Sequence, residues 1–351
     1  MSARYSKIYG FVLALVIAIG SYWLHRLSAM IEPMLVAIMA GVIIRNTIGL
    51  SPRFMVGVKW CVLTLMPLGI VLMGARLNFF DVVRTSAKAL VISVICVGVA
   101  IALTLWLCRK VGVGQKLGIL IAIGTAICGG TAIAVVAPVI EADDNDTAFA
   151  ITTVTLFGLV AVFVLPLLGH AFGMSQLEFG VWAGTSVHQT PQVVATGFAY
   201  GTIAGDVATI VKLVRVLLLA PVVVGLSVWY ARQKRAQRIA HVAKVGKFTT
   251  LFPPFILGFV LLALANTLHL LPNFTLHLQE SFIWDAGDVH VVLAKQVTWL
   301  STFILTIAMA GVGLGVDLRG VRKIGLKALY VGLAAAIILA VFSFLLLRVI
   351  L

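Results

Sequence analysis

The chain has 351 residues, of which 62% are hydrophobic and only 11% carry a formal charge. A soluble domain has about 25% charged residues, so this composition and a mean hydropathy of +1.13 exclude a large soluble domain. The net charge of +14 lies in clusters at the ends of apolar runs. Such clusters indicate membrane topology, and without a basic aromatic groove they exclude nucleic acid as a partner. The composition predicts an all-α fold, a polytopic transmembrane bundle of about ten or eleven spans.

Apolar runs in chain order predict eleven membrane-spanning helices. The first run follows Arg4 and Lys7 and is long for a signal peptide, so it is interpreted as a retained helix. The predicted spans are roughly 8–25, 33–50, 57–77, 87–108, 116–140, 148–170, 178–200, 206–230, 250–271, 290–316 and 326–350.

The charges of the connecting loops predict the orientation. The loop at about 231–247 carries six cations and no acid, and should be cytoplasmic. Alternation from this loop places the N-terminus and the 109–116 loop inside. It places the acidic stretch 141–146 outside, together with the 78–88 loop, which is basic and so departs from the rule. The sequence therefore predicts an inner-membrane protein with a cytoplasmic N-terminus.

Catalytic and metal-binding patterns are missing from the sequence. The four cysteines, Cys61, Cys96, Cys108 and Cys128, lie singly in apolar runs without a CxxC pair. This spacing indicates neither a disulfide framework nor a zinc site. HExxH, Walker and GxSxG motifs are absent as well. We expect no cofactor and no enzyme activity, because a hydrolase built on Ser186 and His188 would have no nearby acid to orient the histidine.

Two segments, 124–138 and 184–197, are poor continuous helices because glycine, threonine and proline weaken their hydrogen-bond ladders. Backbone groups freed at membrane depth must face protein or a water-filled cavity. Close packing of small residues is an alternative reason for the same composition. The presence of two such segments favours interrupted helices around a transport site.

Weak internal repeats connect the two halves of the chain. Gly124-Thr-Ala-Ile-Cys128 aligns with Gly184-Thr-Ser-Val-His188, and 68–77 aligns with 305–314. Such symmetry is typical of repeat-built transporters and predicts one transporter domain with halves at about 1–170 and 171–351. The second pair runs in opposite directions in the predicted topology, as an inverted repeat requires. The first pair does not, so either one segment is re-entrant or the similarity is accidental.

Basic side chains within the predicted spans outnumber acidic ones. An ionisable group in a span costs about 2.5 kcal/mol or more unless it is paired or hydrated. Arg45, Arg76 and Lys295 lie near span ends and could snorkel to the headgroups. Lys212 and Arg215 lie three residues apart on one helical face, where like charges repel and a bound anion would relieve the repulsion. The surplus of buried cations favours an anionic substrate.

The predicted substrate site lies between the two interrupted segments. Backbone amides near Gly129 would hold anion oxygens, and threonine and serine hydroxyls would donate to them. His188 would donate to the anion or carry a coupling proton, although it could also be an ordinary hydrogen-bonded interior group. The predicted substrate-binding residues are Thr125, Cys128, Gly129, Gly130, Thr131, Ser186, His188, Gln189, Thr190, Lys212, Arg215 and Arg76.

The runs 124–132, 184–197 and 212–221 resemble the bacterial YeiH family of inner-membrane proteins, often labelled sulfate exporters. The stretches 68–77 and 308–317 fit as well, so the resemblance covers most of the chain from the second span onward. The family is grouped with bile-acid symporters and cation/proton antiporters. The resemblance implies two related halves, crossed interrupted helices near the midplane and alternating access.

Together, these features predict a secondary transporter, expected to export a small anion such as sulfate or an organosulfonate. A sodium-coupled importer of a small organic solute and an anion channel are the alternatives. The coupling ion would be a proton or sodium, and a homodimer in the lipid bilayer is compatible with this kind of fold.

Overall fold

The computed structural model describes residues 3–28, 32–236, 253–278, 287–318 and 325–350. The basic loop beyond residue 236 lies outside these ranges, so its predicted position is not described. The helices are α1 Ala3–Leu27, α2 Pro33–Thr47, α3 Pro52–Trp60, α4 Met66–Met73, α5 Phe79–Val111, α6 Gln115–Ala126, α7 Gly130–Val136, α8 Asp144–Ala171, α9 Gln176–Ser186, α10 Thr190–Tyr200, α11 Thr202–Leu217, α12 Leu219–Ala236, α13 Pro254–Thr267, α14 Leu293–Gly315 and α15 Leu326–Ile350.

The predicted all-α membrane bundle is confirmed. Within the described residues, seven helical stretches are long and apolar enough to cross a membrane, and α2, α6 and α13 are shorter apolar helices. A π-turn at Cys61–Leu65 joins α3 to α4, and a 3₁₀ turn at Gly74–Arg76 follows α4. An antiparallel pair of strands, β1 Asn273–Leu278 and β2 Gly287–Val292, lies between α13 and α14.

Close contacts between small residues establish the direction of the neighbouring helices. A side-chain carbon added at Gly311 of α14 would lie 3.2 Å from the Cβ of Cys61, and Ser301 of the same helix donates to the carbonyl oxygen of Gly69. Residue 61 therefore lies beside residue 311 and residue 69 beside residue 301, so the α3–α4 segment and α14 are antiparallel. The repeats 68–77 and 305–314 run in opposite directions, in agreement with the inverted arrangement predicted for them.

The segment 115–141 is a re-entrant hairpin, hereafter hairpin 1, formed by α6, the break 127–129 and α7. Lys116 at its start donates to the backbone carbonyl of Glu141 just after its end, although a straight helix of this length would separate them by roughly 35 Å. A side-chain carbon added at Gly124 would lie 2.7 Å from the Ile133 side chain, which shows how closely the two arms pack.

The segment 176–200 is a second re-entrant hairpin, hairpin 2, formed by α9, the break 187–189 and α10. The Tyr200 ring at its end stacks on the Phe179 ring at its start, with centroids 3.9 Å apart. Gln176 accepts a hydrogen bond of 3.0 Å from the amide of Ile203, the second residue of α11. The start of α9 is fixed by a capping box between Ser175 and Glu178.

The two hairpins enter from opposite ends of the bundle. The end that holds Arg109, Lys110 and Lys116 is called the basic end, and the end that holds Tyr200 the opposite end. Between the hairpins, α8 runs from the basic end to the opposite end: Ile151 lies beside Gly130 of hairpin 1, and Gly169 lies beside Tyr200.

The hairpins correct two sequence-based expectations. The segments 116–140 and 178–200 are not spans, because each returns to the end at which it enters. The acidic stretch 141–146 therefore lies at the same end as the 109–116 loop rather than across the membrane from it. The aligned runs that begin at Gly124 and Gly184 are first arms of opposed hairpins, so this repeat pair is also inverted, as the re-entrant alternative requires.

The paired hairpins give a testable topology. In a cysteine-free background, we expect Asp144→Cys and Lys110→Cys to react with a membrane-impermeant maleimide from the same face of oriented vesicles, and Phe172→Cys from the other face. All three positions are exposed. Labelling of Asp144→Cys from the Phe172 face would show that residues 115–141 cross the membrane and would contradict the hairpin.

Candidate functional site

The tips of the two hairpins meet in the interior of the bundle. Gly129 has a φ of +67°, a conformation that glycine adopts without steric cost. A side-chain carbon added at Gly129 would lie 2.5 Å from Cγ of Gln189. Gln189 in turn donates through Nε2 to the Thr155 hydroxyl of α8 at 2.5 Å. The contact between Gly129 and Gln189 therefore joins hairpin 1, hairpin 2 and α8 at one point.

Helix α11 reaches this point because α9 presents small residues to it. A side-chain carbon added at Gly184 would lie 2.6 Å from Cβ of Val211, and one at Gly180 would lie 2.7 Å from Cβ of Val207. This close approach carries Lys212 and Arg215 to the hairpin tips, where both side chains are fully buried, at 0% exposure.

Lys212 and Arg215 bind the carbonyl ends of both hairpins' first arms. Lys212 Nζ donates to the carbonyl oxygens of Ile127 at 2.8 Å, Val187 at 2.9 Å and His188 at 2.5 Å. Arg215 donates to the carbonyl oxygens of Thr125 at 2.8 Å, Ala126 at 2.9 Å, Gly184 at 3.1 Å, Thr185 at 2.6 Å and Val187 at 3.3 Å.

These bonds explain how two cations fit in a dry interior. The C-terminus of a helix leaves its last carbonyls unpaired and carries about −0.5 charge. The C-terminal ends of α6 and α9 both lie against Lys212 and Arg215. The N–H groups of these two side chains, which were expected to bind an anion, therefore donate to backbone carbonyl oxygens instead. Two full positive charges face about one negative charge from the helix ends, which leaves the tips net positive.

Three polar side chains at the tips have no hydrogen-bond partner among the described residues. They are the hydroxyls of Thr125 and Ser186 and both ring nitrogens of His188. The exposed fractions of these residues are 1%, 3% and 1%. A buried polar atom without a partner costs about 1–3 kcal/mol, so four such atoms on three neighbouring side chains indicate a site for a polar ligand or water.

Six other predicted site residues also lie at or next to the hairpin tips. Cys128, Gly129 and Thr190 are buried at the tips, whereas Gly130 and Gln189 are half-buried and Thr131 is exposed. Together with Thr125, Ser186, His188, Lys212 and Arg215, they form one cluster.

Arg76 lies elsewhere, at the opposite end of the bundle. It forms an ion pair with Asp206 at the start of α11 and lies 5.0 Å from the centre of the Phe198 ring of α10. The structure therefore separates Arg76 from the other predicted binding residues.

Two residues of the cluster were not among those predicted from the sequence. Thr155 accepts from Gln189, and its carbonyl oxygen accepts from Nε2 of Gln192 at 2.9 Å. The available signal was polarity within apolar helices, since Thr155 follows two other threonines in a predicted span and Gln192 lies one turn beyond the break. Among the described residues, no group of three or more histidine, cysteine or acidic residues could hold a metal ion.

Comparison with known proteins identifies relatives over nearly the whole chain. A family model described as conserved hypothetical protein 698 matches residues 9–332. A UPF0324 membrane protein of Bacillus cereus is 30% identical over 339 residues, which cover 96% of this chain and 93% of that protein. One of Bradyrhizobium diazoefficiens is 33% identical over 295 residues, which cover 84% of this chain and 78% of the relative. No solved structure matches. The chain therefore belongs to the UPF0324 family of membrane proteins, the same family as the YeiH proteins that its motifs resemble.

Proposed function

We propose that the protein is a secondary transporter of a small anion, bound at the hairpin tips. The observation that carries the proposal is the cluster of unpartnered polar atoms on Thr125, Ser186 and His188, next to the buried cations Lys212 and Arg215. Hydroxyls and a protonated ring nitrogen donate to the oxygens of a sulfate or sulfonate group. The net positive potential of the tips favours a negatively charged ligand.

The same contacts weigh against sodium as the ion held at the tips. A sodium site in broken helices uses unwound backbone carbonyls, but the carbonyls of residues 125–127 and 187–188 already accept from Lys212 and Arg215. Among the described residues, the ion pairs place no carboxylate against either cation. A third cation there would add repulsion without a compensating acid.

The packing of the hairpins supports alternating access. Residues 190–198 of hairpin 2 are all buried, and α10 packs against α2 and α14. In contrast, hairpin 1 exposes Thr131 and Ala134 of α7 and Pro138 just after it. The pair Arg76–Asp206 links the end of the α3–α4 segment to α11 at the opposite end. These contacts support a carrier that is closed at the opposite end and opens toward the basic end.

The distribution of charge supports an orientation. The α3–α4 segment ends with Arg76 at the opposite end, so its start with Arg53 lies at the basic end. The Tyr9–Phe54 ring contact places the start of α1 there as well. The positive-inside rule assigns this end, with Arg109 and Lys110, to the cytoplasm. We therefore propose an inner-membrane protein with a cytoplasmic N-terminus. Its net flux would be export, coupled to a proton or, as the alternative, to sodium. A homodimer fits this proposal.

Ligand-dependent stability tests the proposal. We expect the thermal unfolding temperature of the purified protein to rise selectively with one of sulfate, sulfite, taurine, sulfoacetate, a carboxylate or chloride. A ligand at 100 times its Kd stabilises the folded state by about 2.7 kcal/mol. The shift should fall in Ser186→Ala and His188→Gln, because both side chains have unpartnered atoms at the tips.

Ser227→Ala is the matched control. Ser227 is also buried in a helix, but its hydroxyl donates to the carbonyl oxygen of Val223 at 2.7 Å in its own helix. The anion response of this variant should equal that of the wild type. A response to sodium or to a cationic solute, with none to any anion, would overturn the proposal. Conductance far above a carrier's turnover in a planar bilayer would replace it with a channel.

A further inference from the structure

A cavity of about 450 Å³ lies beside hairpin 1, away from the polar cluster at the tips. Its walls come from α5, from the first arm of hairpin 1 and from α12. The lining residues include Ile101, Leu105, Arg109, Gln115, Ile123 and Trp229. A cavity of this size inside a membrane protein needs an occupant, since empty space forfeits the contacts of its lining atoms.

The cavity is polar at one end and apolar along its depth. Arg109 and Gln115 stand at the basic end, whereas Ile101 and Ile123 lie deeper in the bundle. The eight-residue separation of Ile101 and Arg109 along α5 corresponds to about 12 Å. The occupant must therefore have an elongated apolar body and a polar head at the level of Arg109.

The charge around the mouth specifies the head. Lys110 adjoins Arg109 in the sequence and lies 6.0 Å from the centre of the Trp106 ring, whereas Lys116 is hydrogen-bonded to the backbone of Glu141 beside the acidic stretch. Lys327 of α15 also reaches this end, within 4 Å of a side-chain carbon added at Gly112. Basic groups next to an apolar groove at the membrane surface are the pattern that binds anionic lipid headgroups.

We propose that this cavity is a binding site for one anionic phospholipid, with an acyl chain between α5, α6 and α12 and its phosphate at Arg109. A soluble anion would leave the apolar walls unfilled, and a zwitterionic lipid would not use the surplus of positive charge. Because the acyl chain would lie against α6, the lipid would support the first arm of hairpin 1 beside Ile123, two residues before Thr125. The site is independent of the transported substrate.

Lipid retention in purified protein tests the site. We expect native mass spectrometry in a mild detergent to detect one bound phosphatidylglycerol or cardiolipin in preference to added phosphatidylcholine. Leu105→Trp, which fills the cavity, should abolish that adduct. Arg109→Gln should reduce the preference for the anionic lipid about fivefold, the effect of one basic residue near a headgroup.

Two matched variants separate the cavity from general effects on the membrane surface. Leu103→Trp adds the same ring to α5 at an exposed position outside the cavity lining, and Arg53→Gln removes an exposed cation from the basic end. Both should retain the lipid as the wild type does. Equal retention in Leu105→Trp and Leu103→Trp would overturn the proposal, as would an unchanged headgroup preference in Arg109→Gln.

A second measurement leaves the cavity unaltered. The fluorescence of Trp229 is obtained as the difference between the wild type and Trp229→Phe. Phosphatidylglycerol with brominated acyl chains should quench this fluorescence at a lower mole fraction than brominated phosphatidylcholine does. Trp229 lines the cavity, so a bound chain would place bromine beside its ring. Identical quenching curves for the two lipids would show that only bulk lipid reaches this position and would overturn the site.

Discussion

Replacing Arg215 with methionine is expected to destabilise the protein by about 3–5 kcal/mol, the cost of breaking a buried charge network. Methionine keeps much of the side-chain volume but cannot donate to the five carbonyl oxygens that Arg215 binds. The ends of α6 and α9 would then be left partly unpaired in the membrane interior, where water cannot replace the lost donors. Thermal unfolding in detergent without added anion measures this loss.

Two further variants define the cause. Arg215→Lys keeps the charge but offers three donors in place of five, so its stability should lie between those of the wild type and Arg215→Met. Lys59→Met removes an exposed cation of α3 and should change the stability by less than about 0.5 kcal/mol. If Arg215→Met unfolds at the wild-type temperature and loses only the response to anions, Arg215 binds the substrate directly and does not hold the hairpins together.

The hydrogen bonds of Lys212 and Arg215 explain why the sequence contains an internal repeat. The aligned runs that begin at Gly124 and Gly184 end the first arms of the two hairpins. Their carbonyls converge on the same two side chains, Lys212 and Arg215. The similarity of the two runs therefore reflects two helix ends that must each present free carbonyls to a shared pair of cations.

The helical segments and their weak points could be predicted from the sequence, whereas the path of the hairpins could not. Apolar runs locate helices because lipid requires internally satisfied backbone, and the glycine–threonine runs identify the breaks near residues 128 and 188. A run of 25 residues such as 116–140 is also long enough to cross the membrane. Its length therefore does not indicate that the chain turns back to the end at which it enters. The return depends on contacts distant in sequence, such as Lys116 with the carbonyl of Glu141.

The members of the candidate site could be predicted better than their partners. Buried ionisable residues stand out in an apolar sequence, which identified Lys212, Arg215 and His188. Their acceptors are backbone carbonyls, which every residue carries and which have no sequence signature. The sequence thus showed that the cations require negative partners, but an anion and a helix end satisfy that requirement equally. Arg76 was grouped with the site for the same reason, although its partner is Asp206.

Replacing Gly129 with alanine is expected to abolish the anion response while the protein remains folded. The residue has a φ of +67° and a ψ of −127°, a conformation outside the left-handed helical region that costs a residue with a side chain on the order of 1–3 kcal/mol. The new methyl group would lie 2.5 Å from Cγ of Gln189, so Gln189 must move and lose its hydrogen bond to Thr155. The tips of the two hairpins would separate, and Thr125, Ser186 and His188 would no longer converge on one ligand.

Gly173→Ala separates this clash from backbone strain. Gly173 has a φ of +61°, but a side-chain carbon there meets nothing within 4 Å. Both variants should lose stability from backbone strain, and only Gly129→Ala should lose its anion-induced stabilisation. Equal anion responses in the two would show that contact between the tips is not required for binding.

The double variant Gly129→Ala/Gln189→Ala isolates the cause further, because it removes the Cγ atom that the new methyl group strikes. Its loss of stability should be smaller than the sum of the two single losses, the non-additivity expected of residues in direct contact. Additive losses would place the cost of Gly129→Ala in its own backbone. The contact between Gly129 and Gln189 would then contribute nothing to the stability of the tips.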